Sequence, residues 1–236
     1  MARSLSGDLV VTDDVPGAFA AALLSAISER SGGRCSVALS GGDTARACYE
    51  RLAVEASQET ARIDWRSVDF YWGDERCVGC HDPQSNQRLA RESLLSKLRG
   101  VGAVFPMACS SMPGGGLCPA SYQLLVERVG MLDIVHLGMG PDGHTASLFG
   151  QSPALDAPEE CLVTETEDPS GRVPYRRITL TLSAISRACL VIFTVAGAAK
   201  RDAFDSLLHG VDLPASRVRA RRILWIADSE AYPATG

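Results

Sequence analysis

The strongest constraint on this chain is a repeated pattern: an apolar-rich run of strand length, a short loop bearing glycine or charge, then a helical period. The runs are Cys35–Leu39, Val68–Trp72, Ile134–Leu137, Leu190–Val195 and Ile223–Ala227, with Leu9–Val11 as a short first strand. Leu190–Val195 is apolar throughout rather than alternating, the mark of a strand covered on both faces. Residues 16–30 place apolar side chains at 19, 23, 24 and 27, an amphipathic helical spacing that stops at Gly32-Gly33. Helices are also expected over 45–56, 87–98 and 120–129, with another opening at 197–200. Such alternation with short crossovers predicts an α/β fold: a mostly parallel twisted sheet with helices on both faces, Rossmann-like. Ile178–Leu182 reads as a further, alternating strand, and Cys161–Thr164 as an edge strand inside a Pro-rich excursion over 151–175. Residues 101–119 read as a loop crossing the fold. No repeat or linker divides the chain, so one domain over 1–236 is expected.

In open α/β sheets, ligands bind at the carboxyl ends of the strands, so the loops there carry the chemistry. After Cys35–Leu39 comes Ser40-Gly41-Gly42-Asp43-Thr44 and then a helix. A glycine loop with hydroxyls at a helix N-terminus binds anions, because free N–H groups converge at the positive end of the dipole. The rival reading is a tight turn with Thr44 as helix cap. After Val68–Trp72 comes Gly73-Asp74-Glu75-Arg76, where the Arg76 guanidinium offers a planar fork for phosphate. A solvated charged turn is the plainer alternative. Ser85 is placed to cap the next helix and Asn86 to face the same cleft.

The run Met139-Gly-Pro-Asp-Gly-His-Thr-Ala-Ser-Leu-Phe149 is the centre of this set. Glycines at 138, 140 and 143 permit a sharp bend, and at the bend sit Asp142 and His144, ahead of a helix expected over 145–149. A neutral imidazole beside a carboxylate is a general-base pair; His144 as a mere helix cap is the bland alternative. Gly138-x-Gly140-x-x-Gly143 also matches a dinucleotide fingerprint, but it lies past mid-chain, with Pro141 in the turn and no acid placed at the end of the next strand. Arg177 stands at the start of one strand, and Lys200 lies so close to the carboxyl end of another that it can reach the cleft, although a solvated Lys200 is equally compatible with its position.

Composition limits the partners. The net charge of −5 argues against a general polyanion-binding surface, so any phosphate site must be local and no nucleic acid is expected. No apolar run spans a membrane and the first residues lack a signal core, so a cytoplasmic protein without a membrane partner is expected, and a monomer. Eight cysteines are then expected as reduced thiols. Cys77-Val-Gly-Cys80-His81 has the spacing of a haem attachment site or half a zinc site, but with no second pair it reads as coincidence. Neither metal nor cofactor is expected.

Together these loops resemble the 6-phosphogluconolactonases. The shared pieces are Ser-Gly-Gly-x-Thr at 40–44, Trp-Gly-Asp-Glu-Arg at 72–76, Asp-x-x-Ser-Asn at 82–86, Gly-x-Gly-x-Asp-Gly-His-Thr-Ala-Ser-Leu-Phe at 138–149, Arg-Ile-Thr-Leu-Thr at 177–181 and Gly-x-x-Lys at 197–200. Two departures stand out: Ala45 where that family usually has proline, and Gly150-Gln151 where it usually has Pro-Gly. The resemblance implies a fold like that of glucosamine-6-phosphate deaminases and ribose-5-phosphate isomerases. It implies hydrolysis of a sugar-phosphate lactone, 6-phospho-D-glucono-1,5-lactone, in the pentose phosphate pathway. His144 and Asp142 would be catalytic; Ser40, Gly41, Gly42, Thr44, Asp74, Arg76, Asn86, Gly143, Arg177 and Lys200 would bind substrate. The deaminase class is the nearest alternative, but it typically follows Gly-x-Asp-Gly-His with Ile-Ala-Phe-Asn-Glu-Pro. A sugar-phosphate sensor without catalysis would have no need of His144.

Overall fold

A computed structural model describes residues 5–30, 33–58, 63–111, 115–172 and 174–233. Gly32 of the expected helix stop and residues 112–114 of the crossing loop lie outside the described residues. In chain order the main elements are β1 (Asp8–Val11), α1 (Val15–Ser28), β2 (Cys35–Leu39), α2 (Asp43–Ala56), β3 (Val68–Trp72), β4 (Asp74–Arg76), α3 (Asn86–Ser93) and α4 (Pro119–Val129). There follow β5 (Ile134–Gly138), β6 (Val163–Thr166), β7 (Arg177–Leu180), α5 (Leu182–Ser186), β8 (Leu190–Val195), α6 (Arg201–Leu208) and β9 (Arg222–Ala227).

Six strands form a parallel sheet in the order β1-β9-β8-β5-β2-β3. β2 leads toward β3 on one side, whereas β5 leads toward β8 on the other, so the direction of winding reverses between β2 and β5. Such a switch opens a crevice at the carboxyl ends of the two strands. Side chains alternate across the sheet. His136 of β5 packs against Phe19 of α1, ring centroids 4.2 Å apart, while Phe193 of β8 stacks on Trp225 of β9 and Trp225 meets Phe204 of α6. Thr194, one residue on from Phe193, bonds His136, so α1 and α6 cover opposite faces. α1 is set by Asp14, whose carboxylate accepts from Gly17 N–H at 3.0 Å, and by Pro16 in the first turn. It buries Phe19, Ala20, Leu23 and Ile27.

The second sheet was not foreseen. At Gly73 the chain leaves the parallel sheet: its N–H bonds Leu39 O and its carbonyl accepts from Leu180 N–H. Asp74–Arg76 is therefore a strand, not a charged turn, and it lies antiparallel to β7, which pairs in turn with β6. β7 ends at Leu180, two residues short of the expected strand, because Thr181 caps α5 by accepting from Ala184 N–H. The edge strand runs over 163–166 rather than 161–164. α3 stops at Ser93, and residues 95–97 form a separate tight turn.

The expected helix over 145–149 does not form. Thr145 Oγ1 donates to Gly138 O at 2.8 Å, Leu148 N–H bonds Thr145 O, and Ala146 adopts φ +47°, so the chain doubles back under the turn. That conformation is uncommon for a residue with a Cβ and is held by its surroundings, with Ser147, Leu148 and Phe149 all buried. The glycine fingerprint thus lacks the helix N-terminus that would hold a pyrophosphate. Among the described residues, no helix is long and apolar enough to cross a membrane.

The thiols also differ from expectation. Cys77 and Cys109 are joined in a disulfide, their Cα atoms 5.3 Å apart. Chain spacing cannot show this, because Cys109 is brought beside β4 by the loop that follows Phe105. Cys77 is therefore not a free half-site thiolate, while Cys80 remains a free cysteine.

Candidate active site

A cleft of about 280 Å³ opens at the β2/β5 switch point, at the carboxyl end of the sheet. Ser40, Gly41, Gly42, Thr44, Asp74, Arg76, Asn86, His144, Arg177 and Lys200 all line it. Ten of the positions singled out in the sequence thus converge from six separate elements or loops. Gly143 and Asp142 lie behind this lining. Gly143, at φ +80°, shapes the turn: its N–H bonds Gly140 O, and a Cβ there would strike Leu213.

One wall is the loop after β2. Gly42 precedes α2 at φ +92° and supplies no side-chain cap, so the first amides of α2 face the cleft uncapped. A 14-residue helix ending there adds its positive dipole end. Thr44 is therefore a wall residue rather than the helix cap. Gly41 lies against Asn86, and any Cβ at Gly41 would overlap the Asn86 carboxamide.

The second sheet supplies a charged wall. Asp74 and Arg177 are both buried, and Arg177 Nη1 lies 3.3 Å from Asp74 Oδ2. Ser147 Oγ donates to the same oxygen at 2.5 Å, and Asn86 Nδ2 donates to Asp74 Oδ1 at 3.1 Å. Burial pushes the Arg177 pKa down, with the Asp74 charge opposing it. The Arg177 guanidinium also stands 5.7 Å over the Phe149 ring. Glu75 plays a structural part: its carboxyl accepts from the N–H groups of Arg76, Asn86 and Gln87 and from Ser85 Oγ, tying α3 to β4. Asn86 Oδ1, Arg76 Nε and Arg177 Nε are buried with no hydrogen-bond partner among the described residues. Arg76 is anchored at its other end, where Nη1 donates to Gln84 O at 2.6 Å.

The floor is the bend after β5. Asp142 Oδ1 lies 2.5 Å from His144 Nδ1 and also accepts the His144 backbone N–H at 3.2 Å. That bond from His144 holds the Asp142 carboxyl well below the usual carboxylate range. A carboxylate can only accept, so Nδ1 carries the proton and the lone pair of a neutral ring lies on Nε2. Phe149 backs the imidazole, ring centroids 4.7 Å apart. Gly140 has to be glycine, since a Cβ would run into the His144 ring. Lys200 is half-buried and lines the same cleft as His144; burial lowers its pKa and the Asp142 charge acts the other way.

The cleft thus gathers an imidazole oriented by a carboxylate, the start of α2 and the side chains of Arg76, Arg177 and Lys200. The family model for glucosamine-6-phosphate isomerases/6-phosphogluconolactonase matches residues 10–225. The chain belongs to this family. It is similar to a 6-phosphogluconolactonase of Mycobacterium bovis, 35% identical over 214 residues, 84% of each chain. It is likewise 32% identical to one of Synechocystis sp. over 219 residues, 87% of this chain and 86% of that one. A crystal structure of 6-phosphogluconolactonase from Thermotoga maritima superposes with a TM-score of 0.81 at 28% identity, covering 95% of this chain and all 100% of that one.

The sequence reading missed part of this site. Asp43, Ala45, Met139, Ala146, Thr194 and Ala196 also line the cleft, and Ser147 holds Asp74 from behind. Their neighbours in sequence carried the signal: each lies within two residues of a strand end or a named motif. Small or apolar side chains carried no chemical marker of their own.

Proposed function

We propose that this chain hydrolyses 6-phospho-D-glucono-1,5-lactone to 6-phospho-D-gluconate, a step of the oxidative pentose phosphate pathway. It does so by general-base activation of water, as a monomeric, cytoplasmic enzyme of one domain over 1–236. The observation that carries the reading is the Asp142–His144 pair, which leaves Nε2 as the nitrogen able to take a proton from the cleft.

The substrate phosphate lies against the Ser40-Gly41-Gly42 loop and the first amides of α2, with Arg76 and Lys200 as counter-charges. Asn86, Asp74 and Arg177 face the sugar ring. His144 Nε2 takes a proton as water attacks C1, and a tetrahedral oxyanion forms. The amides of Gly140 and Gly143 are occupied inside their own turn, so this oxyanion is left to the cations of the cleft. The bond from C1 to the ring oxygen then breaks, and the imidazolium returns its proton to that oxygen. Asp142 stabilises the imidazolium between the two transfers.

One coupled assay tests the reading. Acid release from freshly made 6-phosphogluconolactone is compared with ammonia release from glucosamine 6-phosphate. Hydrolysis well above the spontaneous rate, without ammonia, is expected. Ammonia release with no enhancement of lactone opening would assign the chain to the deaminase side of its family.

A further inference from the structure

Behind the phosphate loop runs a buried chain of polar groups that the hydrolytic mechanism above does not use. Tyr49 Oη accepts the Ser40 backbone N–H at 2.7 Å and lies 2.9 Å from His136 Nδ1. His136 Nε2 lies 2.9 Å from Thr194 Oγ1. Tyr49 and His136 are fully buried, and Thr194 is 2% exposed, yet Thr194 lines the cleft at the carboxyl end of β8.

We propose that the Thr194 hydroxyl donates to a phosphate oxygen of the substrate and is aimed there by Tyr49 and His136. The proposal rests on the phosphate placement given above and deepens it.

The direction follows from counting protons. Burial pushes the His136 pKa down to about 3, so the ring is neutral and carries one N–H. In one arrangement Tyr49 donates to Nδ1, Nε2–H donates to Thr194, and the Thr194 proton is left for the cleft. In the other, Tyr49 donates to Ser40 O, Nδ1–H donates to Tyr49, and Thr194 donates inward to Nε2. The Tyr49–His136 contact of 2.9 Å is shorter than the Tyr49–Ser40 O contact of 3.2 Å, which favours the first. A phosphate monoester dianion selects it further, because its terminal oxygens only accept and the second arrangement turns a lone pair toward them. The same Tyr49 hydroxyl holds the Ser40 backbone, so loop and hydroxyl are presented as one unit. Thr194 is thus a substrate-binding residue, and Tyr49 and His136 are positioning residues.

The test uses inorganic phosphate as competitor of lactone hydrolysis in wild-type, Thr194→Val, Thr194→Ser and Tyr49→Phe proteins. Thr194→Val is expected to raise both KM and the phosphate inhibition constant by about tenfold to a hundredfold, the range for a hydrogen bond to a charged group. Thr194→Ser should restore most of this. Tyr49→Phe should shift the same constants, and adding it to Thr194→Val should shift them little further. On wild-type protein, ¹⁵N spectra of the histidine that does not titrate between about pH 5 and 8 should show a protonated Nε2 in saturating phosphate. Equal inhibition of wild type and Thr194→Val, or a protonated Nδ1, overturns the assignment while leaving the phosphate site in place. Absence of competition by phosphate in the wild type removes the phosphate placement and this proposal with it.

Discussion

Asp142 Oδ1 and His144 Nδ1 lie 2.5 Å apart, two residues from one another on a bend that places the imidazole in the cleft and the carboxylate behind it. The pair divides its work by position: one group faces the cleft, and the other sets the tautomer of the first. His144→Ala should therefore lower kcat by roughly 10² to 10⁴ with little change in KM, once spontaneous lactone opening is subtracted. Asp142→Asn should lower kcat by roughly 10² while leaving the fold intact. A folded His144→Ala protein that keeps more than about a tenth of wild-type kcat would transfer the base to another residue.

Arg76 tests the phosphate side. Arg76→Ala should raise KM about tenfold to a hundredfold, as expected for a charge-assisted contact, with a smaller effect on kcat. Turnover of unphosphorylated gluconolactone by the wild type should be much poorer than that of the phosphorylated lactone. Equal turnover of the two would remove the phosphate site.

Asp74 and Arg177 are a buried ion pair, with side chains 6% and 7% exposed. Removing one partner leaves the other charge uncompensated, so Arg177→Leu should cost about 3 to 5 kcal/mol of stability. Asp74→Asn combined with Arg177→Leu should recover part of that loss, whereas activity should stay low in both proteins. Urea unfolding followed alongside kcat/KM separates the two effects. An Arg177→Leu protein as stable as wild type would show that the pair does not stabilise the packing of β4 on β7.

His136 makes stability sensitive to acid. The unfolded chain takes up a proton below about pH 6.5, whereas the folded ring does so only near pH 3. Its contribution is thus complete above about pH 6.5 and is lost as pH falls toward 3, reaching about 2 kcal/mol by roughly pH 5. Urea midpoints measured over that range should fall more steeply for wild type than for His136→Gln. Parallel slopes would mean that the buried ring is not the cause.

The Cys77–Cys109 disulfide spans 32 residues. Loop closure of that length should stabilise the folded chain by about 3 to 4 kcal/mol when oxidised. Adding reductant should therefore lower the unfolding midpoint of the wild type but not that of a Cys77→Ser/Cys109→Ser protein. An identical response in both would show that the bond is not formed in solution.

Much of this molecule was legible in the residues themselves, for local reasons. Runs such as Leu190–Val195 can only be strands covered on both faces, and the glycine-bearing loops after them follow from backbone sterics. Since strand ends meet at one edge of a parallel sheet, Ser40, His144 and Lys200 had to be neighbours once the sheet was inferred.

What the chain could not disclose locally depended on partners distant in sequence. Asp74–Arg76 reads as a charged turn until β7, about a hundred residues on, pairs with it and buries its acids. The stretch after His144 has a helix-like composition, yet hydrogen bonds to Gly138 and Thr179 and the burial of Phe149 bend it back. Tyr49, His136 and Thr194 look like ordinary core residues of three separate elements, and only the packing of α2 on β5 and β8 lines up their polar atoms. Backbone propensity and apolar patterning act over a few residues, so the sequence determined the elements and the loops that carry the chemistry. Hydrogen bonds between side chains depend on where whole elements come to rest, so tertiary structure alone decided which of those groups touch.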